Sequence, residues 1–547
     1  MQKTCLNCKN GFEITNDDLK FYTKIDTPLP TLCPTCRMIR RLLFRNERFL
    51  YKTKSSISGK EVLSHLSADK PYKVYDQSEW WSDKWDPMEY GFDFDFNKTF
   101  TEQFEKLLLA VPQINLQNKD NENSEFCQDT GHLKNCYLIF NGGQSEDCYY
   151  GNTLAHSKNC IDMFWCLFSE LCYECVKSKN CYRSFYCINS HNLQDCILCS
   201  DCIGCKNCFG CVNLRHSEYW IFNKQYTKDE YEKFIKKFLG SNSGVEEAKK
   251  MAYDNYLKHP HRNLIIDNSE NCLGNYIANS KNCIDCFDMI ENSSDCRYIW
   301  DGCAKDGYDC FNAGGLNNTE LLYECVSAYD ANNIKFSVHI WNSSDIEYSY
   351  LCLFSSDLFG CTGLHQKKYC IFNKQFTKEK YFKQKQKIIE HMKKTGEYGE
   401  FFNPRLGCYG YNETAAQYWF PLEKEQALEK GYKWKDPEKK DYKPQAYKVP
   451  DNIKDVPDSI IKELLACKTC RKNYKILAQE LKLYREFNLP IPLKCPDCRY
   501  IERKNLCNPR KLWDRNCEKC GASIKTVYSP ERPEIVYCEA CYLKEVY

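Results

Sequence analysis

The sequence predicts a mainly β protein: a duplicated parallel β-solenoid held between terminal Cys-x2-Cys modules and closed by short capping helices. Three observations predict it. Fifteen cysteines between Cys127 and Cys211 share one phase of a three-residue count, and Cys136, Cys148, Cys160, Cys172, Cys196 and Cys208 fall on a single twelve-residue ladder. A fixed period of this kind marks a stacked repeat. The middle of the chain is duplicated at an offset of 150: Ile221-Phe222-Asn223-Lys224-Gln225 recurs as Ile371-Phe372-Asn373-Lys374-Gln375, and Tyr173-Glu174-Cys175-Val176 as Tyr323-Glu324-Cys325-Val326. Finally, two Cys-x2-Cys pairs 24 residues apart stand near each end, in matching text offset by 462.

Residues 1–86 read as a double ribbon. Cys5, Cys8, Cys33 and Cys36 form two knuckles, and four thiolates brought together suit a tetrahedral Zn²⁺. The second half has Ser55, Ser58, Asp76 and Glu79 where the other terminus has Cys517, Cys520, Cys538 and Cys541, so its second site reads as degenerate. Residues 87–123 form a helical connector, with a helix from Phe100 to Leu109 stopped by Pro112. Asp93-x-Asp95-x-Asn97 alternates with Phe92, Phe94 and Phe96, which favours a strand with one buried face over a cation loop.

Residues 124–239 form the first solenoid repeat. Every third residue from Cys136 gives Ile139, Gly142, Ser145, Cys148, Gly151, Leu154 and Ser157, and no charge enters this column. One small or apolar residue per triplet predicts a chain that bends at each corner and turns one side chain inward. So thin a core suits Cys, the most apolar of the small residues. Coils of about 12 residues are the direct reading; 24-residue rungs would give the same column. Cys196 aligns with Ile346 and Cys208 with Leu358 in the second repeat, so these cysteines read as core and not as metal ligands. The repeat ends in Thr227-Lys228-Asp229-Glu230-Tyr231, a capped amphipathic helix. A helical linker (240–266) leads to the second repeat (267–395), which ends likewise from Thr377. Then come a connector and charged linker (396–460) and the C-terminal double ribbon (461–547). There Cys467, Cys470, Cys495 and Cys498 form one site, and Cys517, Cys520, Cys538 and Cys541 another, making three zincs per chain.

Composition narrows the function classes. The chain has 547 residues and a net charge of +2, enough for several domains and too neutral for a generally basic polymer binder. No apolar run reaches membrane-spanning length, and Met1-Gln2-Lys3-Thr4-Cys5 runs straight into a knuckle, so neither a membrane protein nor a signal peptide is expected. Thiolate sites and many lone cysteines imply a reducing, cytoplasmic setting.

After the second knuckle each double ribbon turns basic: Arg37, Arg40, Arg41, Arg45 and Arg48 in one, Arg499, Arg503, Lys504, Arg510 and Lys511 in the other. Phe44, Phe49, Tyr51, Tyr500 and Trp513 interleave. Arginine beside aromatics suits phosphate contact with base stacking. On the solenoid, Tyr137, Tyr149, Ile161, Tyr173, Phe185, Ile197 and Phe209 follow successive ladder positions, a stripe that either packs against the second solenoid half or the connecting helices, or offers a platform for bases or a groove for a protein partner. Asp147, Asp162, Glu174, Asp195 and Asp201 lie outside the inward column, and nothing marks a catalytic pair among them. The functional expectation is a non-enzymatic zinc-binding scaffold that binds RNA or an RNA–protein assembly through basic ribbons. The alternatives are a protein-interaction scaffold without nucleic-acid binding, and an enzyme on the solenoid face acting on a glycan.

The coil pattern resembles the twelve-residue β-helix of beetle antifreeze proteins, which also turn one small residue inward in three; their Thr-x-Thr ladder is missing, so no function follows. Three stretches carry a second resemblance: Cys33-Pro34-x-Cys36-Arg37 through Arg45-Asn46-Glu47-Arg48, Trp80-Trp81-Ser82-Asp83-Lys84-Trp85, and the paired Ile-Phe-Asn-Lys-Gln motifs. With these the layout resembles an uncharacterised family of cysteine-rich, multi-zinc-ribbon β-solenoid proteins of reduced-genome bacteria. The resemblance implies no established activity. Such sequences sometimes bear a CoA-transferase label of the CaiB/BaiF type, which no residue here supports.

Overall fold

Every third residue from Asp120 to Phe222 has a positive φ, between 43° and 65°. This conformational beat builds the coil. The structure is a computed structural model and describes residues 1–289, 292–313, 320–438 and 440–547. Each triplet has an inward residue, a bridging residue and a left-handed residue that turns the corner. Bridging residues pair in parallel at a spacing of twelve, as in Tyr137 with Tyr149 and Tyr149 with Ile161. The rung is therefore 12 residues and not 24. The bridging N–H donates to one neighbouring coil and the left-handed N–H to the other: Tyr149 N to Cys160 O at 2.9 Å, Tyr150 N to Tyr137 O at 2.9 Å. Asn and Asp crowd the left-handed column because they tolerate that region. Among the described residues, neither Val nor Ile takes it.

The inward column does more than fill space. Ser157 N donates to Ser145 Oγ, and Ser169 N to Ser157 Oγ, each at 3.2 Å. Cys136 Sγ receives the backbone N–H of Cys148 in the same way. The thiols also donate, as Cys148 Sγ does to Glu146 O at 3.2 Å. An inward-pointing amide in a dry core needs such a partner. Where Ser or Cys stands in the column it thus both fills space and accepts from the next coil, while Ile139, Leu154 and Leu193 fill space only.

The second solenoid follows the same plan with irregular coils. Ile266 pairs with Ile277, Ile284 with Arg297, and Lys305 with Glu320, so the spacing runs through 11, 13 and 15 residues before settling at 12 from Glu320 to Asn332. Both solenoids end alike. Glu218–Ile221 turns back on Lys224–Gln225 through Phe222 and Asn223, both left-handed. Asn223 then bonds Val212 O at 2.7 Å and Val212 N at 2.8 Å, imitating a backbone. Asn373 does the same with Thr362. This hairpin is the Ile-Phe-Asn-Lys-Gln motif, and it seals the open edge of the last coil. The helices Lys228–Ile235 and Lys378–Thr395, each N-capped by a threonine, follow it, and each packs its tyrosine on the last coil (Tyr231 on Tyr219, Tyr381 on Tyr369).

The chain forms two units, each made of two segments. One comprises Met1–Leu116 with Leu264–Asp436, the other Gln117–Asn263 with Pro437–Tyr547. Each unit therefore joins one double ribbon to one solenoid: the N-terminal ribbons to the second solenoid, the C-terminal ribbons to the first. The connector helix runs Phe100–Ala110. The strand expected around Asp93 and Asp95 is absent; 91–97 is an irregular loop. There Phe94 packs on Phe372 and His391, Asp93 pairs with Lys374 at 2.7 Å, and Asp95 accepts from Asn97 N. Among the described residues, no helix is long and apolar enough to cross a membrane.

Candidate metal centres and the ribbon helices

Three groups of four cysteines converge: Cys5, Cys8, Cys33 and Cys36; Cys467, Cys470, Cys495 and Cys498; and Cys517, Cys520, Cys538 and Cys541. Within each, all sulfurs lie within 4.8 Å of one another. Sulfur pairs measure 3.7 Å for Cys8 and Cys33, 3.5 Å for Cys470 and Cys495, and 3.8 Å for Cys520 and Cys538. A tetrahedral zinc with bonds of ~2.3 Å requires edges of about 3.8 Å. Each first knuckle follows a short strand, and each second knuckle opens a helix: Cys33 caps Pro34–Leu42, Cys495 caps Pro496–Asn505 and Cys538 caps Glu539–Val546. Backbone N–H groups point at the sulfurs, as Cys33 N does at Cys5 Sγ (3.3 Å) and Cys538 N at Cys517 Sγ (3.2 Å). Burial raises the pKa of the Cys467 and Cys517 thiols, but surrounding amide donors outweigh it and bring both down to about 6. These are thiolate pockets, and their donor chemistry fits Zn²⁺.

At the fourth position the side chains that stand for the cysteines bond to one another. Ser55 Oγ donates directly to the Glu79 carboxylate, and Ile57 N and Ser58 N turn to Ser55 Oγ at 3.2 and 3.4 Å. Asp76 instead caps the helix Gln77–Trp80. These hydrogen bonds hold the turn.

The basic residues are placed differently from the sequence expectation. Arg37, Arg40, Arg41 and Arg45, and likewise Arg499 and Arg503, are buried. Arg37 Nε binds Asp309 at 2.8 Å and Arg41 reaches the other oxygen of Asp309 at 3.4 Å. Arg40 binds Glu324 at 2.6 Å and Glu400 at 2.9 Å. In the other unit Arg499 and Arg503 grip the two oxygens of Asp162 at 3.0 and 2.7 Å. The correspondence extends to the aromatics. Arg37 lies over Tyr298 at 5.4 Å and Arg499 over Tyr150 at 4.8 Å, while Tyr22 meets Tyr323 edge-on as Tyr484 meets Tyr173. For these six arginines, contact with nucleic acid is therefore corrected: Arg37, Arg40, Arg41, Arg499 and Arg503 lock each ribbon helix to its solenoid, and Arg45 is buried beside Glu47 of its own ribbon at 3.6 Å. Arg48, Lys504 and Arg510 are half-buried, and Lys511 is exposed over Trp513 at 5.0 Å.

Of the readings open for the aromatic stripe, internal packing is the one observed. Tyr149, Ile161, Tyr173, Phe185, Ile197 and Phe209 are buried with Tyr484, Phe487, Val245 and Phe238 of the same unit, and Tyr137 packs at their edge. It is an internal interface of this unit. Sequence reasoning missed the anchoring acids. Asp162 stood out only as an acid off the inward column, and nothing in the sequence pointed it at the ribbon; Glu174 pairs instead with Lys249 at 3.1 Å. No family model matches the chain, and no curated protein matches it either.

Proposed function

We propose that the protein is a non-enzymatic, metal-stapled scaffold, with Zn²⁺ in the three tetrathiolate centres. The observation that carries this reading is the buried guanidinium–carboxylate clamp. Cys36 and Arg37, and again Cys498 and Arg499, are neighbours on one helix. The metal fixes the start of that helix, and the next turns insert arginines into the solenoid wall. Zinc binding and docking of the ribbon are thus one event. The solenoid faces not covered by ribbons then serve as a stiff display surface. Native mass spectrometry tests the metal: three Zn²⁺ per chain are expected, and a stoichiometric iron count or fewer than two metals refutes the assignment.

RNA or an RNA–protein assembly is the ligand class we favour for this scaffold, because cations and aromatics remain together at the surface of the C-terminal module, with Lys511 over Trp513. Crosslinking in cells, followed by sequencing of bound RNA, tests it. Recovery of protein alone would leave a protein-interaction scaffold.

A further inference from the structure

The C-terminal module has a cleft of about 560 Å³ beside its first metal centre. Tyr442, Lys443, Gln445, Lys468, Arg471 and Tyr474 are among its lining residues, and no acidic residue lines it. We infer that this cleft is a binding site for single-stranded nucleic acid, holding phosphate on Lys443, Lys468 and Arg471 and a base against tyrosine. The inference rests on the RNA reading above and names its site.

Four observations carry it. First, none of the three cations has a carboxylate within ion-pairing distance among the described residues, unlike the buried arginines of the same module. Three adjacent positive charges held without counter-charge are an anion site in waiting. Second, the aromatic groups are differently held. Tyr474 is buried and its hydroxyl is committed to Pro492 O at 2.7 Å, so its ring is what it offers the cleft. Tyr442 is 42% exposed at the mouth. An aromatic face next to cations suits a stacked base with its phosphate, and it gives an acidic peptide little.

Third, one wall is a segment that composition assigns to a linker. It is strapped down by Lys443 N to Asn473 Oδ1 and Asn473 Nδ2 to Lys443 O, both 2.8 Å, and by Ala466 N to Gln445 Oε1, also 2.8 Å. Ordering these residues costs conformational entropy that a free linker would keep. Fourth, the ribbon fold does not require this chemistry. In the N-terminal copy, at the offset of 462, Leu6 stands for Lys468 and Gly11 for the strapping Asn473. That copy keeps the metal knuckles and lacks both the second cation and the strapping asparagine. The residues that line the cleft differ between modules of common design, and its size falls in the ~300–1,000 Å³ range of small-ligand sites.

The test uses the full-length, zinc-loaded protein and a fluorescein-labelled oligouridine of about ten nucleotides. Anisotropy is measured across a salt series. The variant Lys443→Ser/Lys468→Gln/Arg471→Asn should bind at least tenfold more weakly at low salt and lose about two units of salt slope, since each single-strand phosphate contact contributes roughly 0.7. Tyr442→Ala should weaken binding about tenfold with the slope unchanged, because stacking is uncharged. Asn at 471 tolerates the left-handed φ of 65°. Both variants should retain three metals. Binding by the intact protein that the triple variant leaves unchanged overturns the cleft while keeping the RNA reading. No binding by the intact protein overturns both. Equal competition by polyglutamate overturns the nucleic-acid assignment in favour of an acidic protein.

Discussion

Asp162→Asn is the most direct perturbation of the clamp. One carboxylate there serves two guanidiniums, and all three groups are within 3% of complete burial. Asparagine keeps the shape and one acceptor oxygen but removes the charge. Arg503 then retains Tyr150 O at 3.3 Å, and Arg499 retains Lys494 O at 3.4 Å and the Tyr150 ring. Leaving buried cations without their anion costs about 3–5 kcal/mol. The matching Asp309→Asn should cost less, because Glu324 also faces Arg41, at 3.8 Å. Urea unfolding of the zinc-loaded protein at pH 7.5 gives the free energies. Hydrogen exchange gives the location: Pro496–Asn505 should lose protection in Asp162→Asn, and Pro34–Leu42 in Asp309→Asn. A cost below about 1 kcal/mol for Asp162→Asn, with unchanged exchange in Pro496–Asn505, would refute the clamp. A further variant, Asp162→Leu/Arg499→Met/Arg503→Leu, should recover much of the loss, because a packed apolar set often equals a buried ion network.

Two more predictions concern the interior. Ser157→Ala removes the acceptor for Ser169 N and should cost about 1–3 kcal/mol in urea unfolding, whereas Ser157→Cys should cost clearly less; equal costs would show that the column is filler alone. Burial depresses the His65 and His261 pKa values to about 4, against the ordinary 6.5, although hydrogen bonds to Ile114 O and Tyr256 O oppose it. The unfolded chain therefore takes up these protons first, so their contribution is complete above pH 6.5 and is lost as pH falls toward 4. Between pH 7.5 and 5.5 each histidine should cost about 1.4 kcal/mol of stability, and the double variant His65→Gln/His261→Gln should flatten that slope. An unchanged slope would refute the assignment.

The solenoid and the metal centres were legible because each depends on spacing alone. A twelve-residue ladder dictates stacked coils, and two knuckles 24 residues apart dictate a tetrathiolate. The clamp was not legible, for a geometric reason. At the fixed offset of 150, Asp162 aligns with Asn312, but the 15-residue coil between Lys305 and Glu320 shifts the equivalent acid to Asp309. The arginine run misled because a charge count cannot tell a surface cation from one aimed at an acid far along the chain. Arg37 and Asp309 are 272 residues apart. The double role of the inward cysteines was also hidden, since small volume and sulfur as an acceptor are both met by the same residue.

The interleaving of the two units has a consequence for how the chain comes into being. The sequence repeats as ribbon, solenoid, solenoid, ribbon, yet each unit takes its ribbon from one half and its solenoid from the other. During synthesis the N-terminal ribbons must wait, with Arg37, Arg40 and Arg41 unpaired, until Asp309 and Glu324 have emerged. The first solenoid must wait longer, keeping its aromatic stripe uncovered until Tyr484 and Phe487 arrive. A chain cut near residue 263 would therefore yield two fragments, each carrying a ribbon and a solenoid that were never meant for each other.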